Sequence, residues 1–248
     1  MPNPIKLKTS VERVAAFGVD SYLVTLLPER PIPKFRPGQF LHLTIDDYDP
    51  LGGFWPESRV FSIASSPREE TLTIIYSVKG KYTRRMEEGL HQDRCVWVKM
   101  PYGEFFIDDT TASNEPLVLI AGGTGISPYL AYLKQLASEE KRAESKWLYY
   151  GVRDPSYIVS PDLLERCVKE KKINCTICLE SGEESIYGMF TGNVKKGQLD
   201  IQSIYEETRR LGAPVYCLSG PPAMIDAFKL KLIEFCVPES NIRIDQWE

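Results

Sequence analysis

Two stretches, PLVLIAGGTGISPYL at residues 116–130 and PVYCLSGPPAMIDAF at 214–228, constrain the fold more than any other feature of the chain. Each is an apolar run that meets glycine and passes at once into a helical pattern. Runs this short fall well below the ~20 residues of a membrane span and suit strands buried on both faces. Between them the alternation continues. SPYLAYLKQLASEEKR carries Tyr129, Leu130, Leu133 and Leu136 at helical spacing. WLYYGVR and NCTICLE read as further strands, SPDLLERCVKEK as a second helix and PAMIDAFKLKLIEFCV as the last. Strand and helix in alternation, with short connections, predict a parallel sheet covered on both faces.

The texture before residue 110 is different. SYLVTLL, QFLHLTI, RVFSIAS, TLTIIYSV and RCVWVKM are short strand-like runs split by Pro, Gly and Asp turns. Regular short strands of this kind predict an antiparallel barrel or sandwich. DDTTASNEP, ending in Pro116, reads as the linker. The expected organisation is therefore two domains, 1–112 and 113–248, in a chain of 248 residues.

Composition narrows the partners. A net charge of −4 without a basic block argues against nucleic acid. MPNPIKLKTSVERV lacks the apolar core of a signal peptide, so a cytoplasmic protein without a membrane span is expected. The six cysteines are scattered, as free thiols in a reducing compartment would be. Cys175 and Cys178 are three apart on a strand and point to opposite faces, so no shared metal is expected. His42 and His91 are isolated and read as structural or surface residues.

Chemistry is expected at the carboxyl ends of the parallel strands. Gly122, Gly123 and Gly125 let a backbone approach a pyrophosphate, and the helix after them presents free N–H groups. Ser127 reads as the N-cap and Pro128 as the first helical residue. No lysine follows, so a Walker-type triphosphate grip is unsupported. The Ser219-Gly220-Pro221-Pro222 bend is a second junction that can flank the same crevice. In the first half, Arg59, Phe61 and Ser62 of RVFS combine a phosphate-matching guanidinium, an aromatic ring and a hydroxyl. Gly80 and Thr83 of VKGKYTRRMEEGL open a short helix and form a second candidate for an anion.

In order along the chain, RVFS, PGQF (37–40), GKYT, PYGEF (101–105), GGTG and SGPP resemble the ferredoxin–NADP reductase family. The resemblance implies a barrel that binds FAD and an α/β domain that binds NADH or NADPH. Arg59 would pair with the flavin pyrophosphate, and Phe61, where many members have Tyr, would pack on the flavin. Ser62 would sit near flavin N5, and Gly80 and Thr83 would take the pyrophosphate. Val60, Tyr76, Val78, Lys81 and Tyr82 join this set. Gly122, Gly123, Thr124 and Gly125 would hold the dinucleotide, with Gly220 and Pro221 as the opposite wall. Ser219 stands where many members have Cys, and Cys217 reads as a core thiol. Trp247 would cover one flavin face, so Ser62, Thr124, Ser219 and Trp247 are the expected catalytic positions. Glu180, rather than a phosphate-gripping Ser-Arg pair, leans the coenzyme toward NADH, although Arg153 could meet a phosphate.

The function so implied is passage of hydride from nicotinamide to FAD and of electrons onward to a separate acceptor. Two alternatives stay open: a flavin reductase whose flavin dissociates, and an electron-transfer subunit of a larger complex. The loop DDYDPLGGFWPES, with Trp55 and four acids, reads as a solvated connection, with a border on the flavin edge or a partner site as the alternatives.

Overall fold

A computed structural model describes residues 3–107, 116–139, 145–182, 186 and 188–245. The expected domain boundary at 112/113 and Trp247 lie outside the described residues. The chain divides into two compact units, one of residues up to Ile107 with Ser127–Tyr132, the other of the remainder.

The first unit is built on strands β1 (Ile5–Phe17), β2 (Ser21–Pro28), β3 (Phe40–Thr44), β4 (Arg59–Ser62), β5 (Leu72–Ser77) and β6 (Cys95–Tyr102), with helix α1 (Lys81–Gly89) between the last two. The strands pair antiparallel in the order β4-β3-β6-β1-β2-β5. Just past the end of β4, the Ala64 amide donates to the carbonyl of Thr73 in β5 at 2.8 Å. The result is a nearly closed barrel, one of the two architectures that the strand pattern left open and the one that the family resemblance implied. Leu7, Val24, Leu41, Ile74 and Val98 are fully buried within it.

The longest strand, β1, is absent from the sequence reading. Leu7, Thr9 and Val11 alternate inward, but Lys6, Lys8, Glu12 and Arg13 dominate the local composition. An irregularity in pairing with β2 between Val11 and Arg13 then shifts the alternation. No single period-2 pattern runs through the strand.

The second unit contains β7 (Leu117–Gly122), the part of α2 (Ser127–Ser138) from Leu133 onward, β8 (Lys146–Val152), α3 (Pro161–Lys169), β9 (Asn174–Leu179), β10 (Asn193–Lys196), α4 (Ile201–Thr208), β11 (Val215–Ser219), α5 (Pro222–Glu234) and β12 (Ile242–Ile244). Its strands pair parallel in the order β10-β9-β8-β7-β11-β12. The sequence reading lacks β10, α4 and β12. The strands NVKK and IRI are short, polar or partly exposed edges without a period of their own. Helix α4 starts at Asp200, whose carboxylate accepts from the Gln202 and Ser203 amides at 3.3 and 3.1 Å.

This order places β8, β9 and β10 on one side of β7 and β11 and β12 on the other. The chain direction across the sheet therefore reverses between β7 and β11, where open α/β sheets leave a crevice at their carboxyl ends. No helix among the described residues is long and apolar enough to cross a membrane.

Candidate cofactor-binding sites

In the first unit, β4 lies on the β3 edge with Ser62 opposite Phe40 and Arg59 opposite Leu43. Phe61 and Ser62 are buried, whereas Arg59 is exposed. Burial does not alternate along this four-residue strand as an ideal pleat would require. The Arg59 guanidinium lies 4.5 Å from the centre of the Tyr82 ring and pairs with Glu57 at 2.7 Å. Tyr82 is a fixed platform: its hydroxyl accepts from the Ile45 amide at 3.2 Å and donates to the Leu43 carbonyl at 3.1 Å. Arg85, absent from the sequence candidates, lies on the same ring at 5.6 Å and pairs with Asp46. Two guanidinium groups thus gather on one aromatic ring near the start of α1.

At that start, Thr83 Oγ1 accepts from the Lys79 and Gly80 amides at 3.0 and 3.1 Å. A Cβ added at Gly80 would meet no protein atom within 4 Å. The glycine is therefore not required by packing, and the space beside it is open to a ligand. Lys81 is exposed, and the Val78 amide is engaged by the Asp20 carbonyl at 2.8 Å.

Tyr76 provides a separate test of fit. Its ring stacks on Tyr22 at 5.2 Å and meets Phe61 edge-on at 6.3 Å. Its hydroxyl is buried with no hydrogen-bond partner among the described residues. Burial raises its pKa well above the usual tyrosine value, so it remains a donor. An orphaned buried hydroxyl costs about 1–3 kcal/mol. A polar ligand atom beside Phe61 and Ser62 would relieve that cost. These residues fit an aromatic, pyrophosphate-bearing group.

In the second unit, Gly123 follows β7 with φ +56° and opens a 3₁₀ turn, Gly123–Ile126, that runs into α2. Ile126 is already helical at φ −66°, ψ −20°, so Ser127 lies inside the helix. The expectation that Ser127 caps it is corrected: the tight turn begins the helical rise four residues earlier. Pro128 is accordingly the second helical residue rather than the first, still within the first turn. Thr124 lies within the tight turn.

The two glycine junctions touch. A Cβ on Gly125 would lie 2.4 Å from the Ser219 carbonyl oxygen and 2.6 Å from Gly220 Cα. Both obstacles are backbone, so only glycine permits this approach. Gly122 is packed from the same side by Pro221 and Met224. At Gly123, by contrast, an added Cβ would meet nothing within 4 Å. The loop is tight where it faces its neighbour and open where its backbone could face a phosphate.

Beneath this junction is a residue that the sequence reading missed. Ser219 Oγ is buried and donates to Asp245 Oδ2 at 2.8 Å. The Asp245 amide donates to the Leu218 carbonyl at 2.9 Å, extending the β12 register by one residue. Asp245 is only 5% exposed, and burial lifts its pKa to about 7, opposed only in part by the serine bond. Cys217 is fully buried with its thiol pushed up to about 12, which keeps it neutral as a core residue.

Asp245 yields a pH prediction. Its folded pKa of about 7 stands above its ordinary 3.8, so its contribution to stability is full below about pH 4 and is lost as pH rises through 7. The loss is on the order of 4 kcal/mol. Asp245→Asn should therefore melt at a higher temperature than the parent near pH 8, the gap closing toward pH 5. A gap that is the same at both pH values would contradict the buried-acid assignment.

Arg153 and Glu180 lie just past β8 and β9, joined by the Ser181 amide donating to the Arg153 carbonyl at 2.9 Å. Glu180 Oε1 accepts from Gln198 Nε2 at 3.0 Å, and Arg153 leans on the Tyr157 ring at 5.5 Å. Gln198 also escaped the sequence reading. No cluster of three or more potential metal-ligating residues occurs among the described residues. His42 is half-buried beside Phe40 and Tyr102, and burial lowers its pKa.

Comparison with known proteins finds relatives along the chain. Residues 119–229 match the oxidoreductase NAD-binding domain. The chain is 29% identical over 247 residues to the reductase component of propane 2-monooxygenase from Mycolicibacterium smegmatis, covering 97% of this chain and 67% of that protein. It is 30% identical over 156 residues to the NAD(P)H-flavin reductase of Vibrio harveyi, spanning 60% of this chain and 61% of that one. The flavohaem-like FAD/NAD-binding domain of nitric oxide dioxygenase from Vibrio cholerae shares the fold at TM-score 0.77 and 17% identity, over 96% of this chain and 97% of that chain.

Proposed function

We propose that this chain, which belongs to the ferredoxin reductase-like FAD- and NAD(P)H-dependent oxidoreductases, retains FAD in its barrel, takes hydride from NADH and passes electrons to a separate redox protein. The observation that carries the reading is the meeting of the two glycine junctions at the sheet's switch point. When bound, FAD supplies the redox chemistry, taking one hydride, an electron pair with its proton, from nicotinamide and releasing the electrons singly or together.

The chain's own residues do the rest. Arg59 exchanges Glu57 for the FAD pyrophosphate while Tyr82 holds its plane. Arg85 adds charge, and the open edge at Gly80 admits the phosphates to the N-terminal amides of α1. Phe61, Tyr76 and Ser62 form the apolar wall and polar contacts for the ring. Gly123 to Gly125 present backbone N–H groups to the coenzyme pyrophosphate. Glu180, held by Gln198, accepts from a ribose hydroxyl and repels a 2′-phosphate. Asp245 sets the direction of the Ser219 hydroxyl. Ionised, it accepts the serine proton; protonated, it donates to Ser219 Oγ and frees that proton for the coenzyme amide. Hydride transfer needs no general base, only a reacting distance of about 3–3.5 Å.

Retention of FAD, rather than its exchange as a substrate, is supported by the dedicated phosphate residues at Arg59, Arg85 and Gly80. A reducing, cytoplasmic setting accords with six cysteines scattered along the chain, four of them, Cys167, Cys175, Cys178 and Cys217, buried in the fold. A separate acceptor accords with the reductase-component relative. Two measurements test the reading. Protein loaded with FAD should stay yellow through gel filtration; complete loss of flavin would favour the flavin reductase alternative. NADH should exceed NADPH in kcat/KM by about tenfold, equivalent to roughly 1.4 kcal/mol, and Glu180→Ala should narrow the gap. A preference for NADPH would overturn the coenzyme assignment.

A further inference from the structure

The β3–β4 connection, residues 45–58, is far longer than the hairpin needs, and its tip is apolar. Leu51 is 96% exposed and Phe54 97%. Two such side chains three residues apart offer apolar area to a partner. The tip is also ordered by its own bonds. The Gly53 amide donates to the Asp49 carbonyl at 2.9 Å, and the Leu51 amide to Asp49 Oδ1 at 2.9 Å. Its stem is pinned to the barrel: the Tyr48 ring meets Trp55 at 5.4 Å and Trp97 at 5.1 Å, both edge-on. Trp55 Nε1 donates to Ser58 Oγ at 3.0 Å. The loop is a braced knob that presents Leu51 and Phe54 outward.

The loop's own charge has one sign, although at its stem Lys6 lies over the Tyr48 ring at 4.6 Å and Arg94 donates to the Ile45 carbonyl at 3.3 Å. Asp46, Asp47, Asp49 and Glu57 lie in the segment, and no Lys or Arg occurs from 45 to 58. Asp46 and Glu57 are engaged with Arg85 and Arg59, whereas Asp47 and Asp49 are exposed beside the tip. An apolar centre with an acidic rim matches an apolar pocket ringed by Lys and Arg, with the rim steering encounter and the centre holding it.

We propose that the 45–58 loop docks a basic-rimmed redox carrier protein, the acceptor of this chain's electrons. The inference rests on the proposed function, since the loop leads directly into Arg59 of the FAD site.

Cytochrome c, a strongly basic one-electron carrier, is the probe, and menadione, small and neutral, is the control. Each NADH reduces two ferric haems and releases one proton. With the FAD-loaded full chain, Leu51→Ser combined with Phe54→Ser should raise the KM for cytochrome c at least ~tenfold and leave menadione reduction unchanged. Asp47→Lys should raise the same KM about threefold at low salt and flatten its salt dependence. Direct binding of oxidised cytochrome c, followed by calorimetry at low salt, should weaken in parallel in both variants. That measurement needs no turnover, so it still decides the matter if NADH oxidation itself fails. Unchanged cytochrome c binding and KM in both variants would overturn the proposal. So would equal losses with menadione, which would assign the loop to FAD, or a wild-type dimer in sedimentation that the serine variant dissolves, which would assign it to a second copy.

Discussion

Gly125→Ala should cripple use of the coenzyme while leaving FAD binding intact. The added methyl would sit 2.4 Å from the Ser219 carbonyl oxygen and 2.6 Å from Gly220 Cα, separations that no Cβ tolerates. Neither atom is the end of a flexible side chain, so one glycine junction must move off the other. Overpacking of this kind costs about 1–3 kcal/mol, and the displaced backbone is the surface that receives the pyrophosphate. The KM for NADH is expected to rise by between ten- and a hundredfold, roughly that energy expressed as affinity. FAD affinity, governed by the barrel, should stay within about twofold, an effect under 0.5 kcal/mol. Steady-state kinetics alongside an FAD titration checks both halves. Normal NADH kinetics would show that the two loops can part without loss.

Arg59→Ala is expected to do the reverse. The guanidinium is pre-positioned on the Tyr82 ring at 4.5 Å and held by one exposed carboxylate, Glu57, that a phosphate can replace. Charge-assisted hydrogen bonds contribute about 1.5–3 kcal/mol each, so a lost bidentate contact should weaken FAD roughly 10²–10⁴-fold. Arg59→Lys should recover only part, because an ammonium cannot stack or fork in the same way. Quenching of flavin fluorescence on binding gives the affinities. FAD held equally well by Arg59→Ala would remove the pyrophosphate assignment and shift it to Arg85.

The contrast between these two sites shows what the linear sequence could disclose. PLVLIAGG and PVYCLSG announced buried strands because their apolar runs are unbroken, and both became neighbouring parallel strands, β7 and β11. RVFS and GKYT could be recognised as motifs, yet their setting could not. Arg85 and Tyr82 reach Arg59 by tertiary packing, which no local spacing encodes. Strand β1 was hidden by its lysines and by a pairing irregularity. Strand β12 was hidden by being three residues long. Missing β12 meant missing Asp245, because an acid near a chain end reads as solvated until a neighbouring strand buries it. Ser219 was singled out as a departure from the family pattern, but its partner 26 residues later was not. The Ser127 cap failed for a local reason: a 3₁₀ turn beginning at Gly123 had already set the helical rise.

The central claim is that this chain holds FAD so that NADH can reduce it, and one titration tests it most directly. FAD-loaded protein, kept free of oxygen, is titrated with NADH while the flavin's visible absorbance is followed. The account predicts bleaching complete at one NADH per FAD, slowed severely in Gly125→Ala. Flavin that stays oxidised in excess NADH and excess NADPH alike would contradict it.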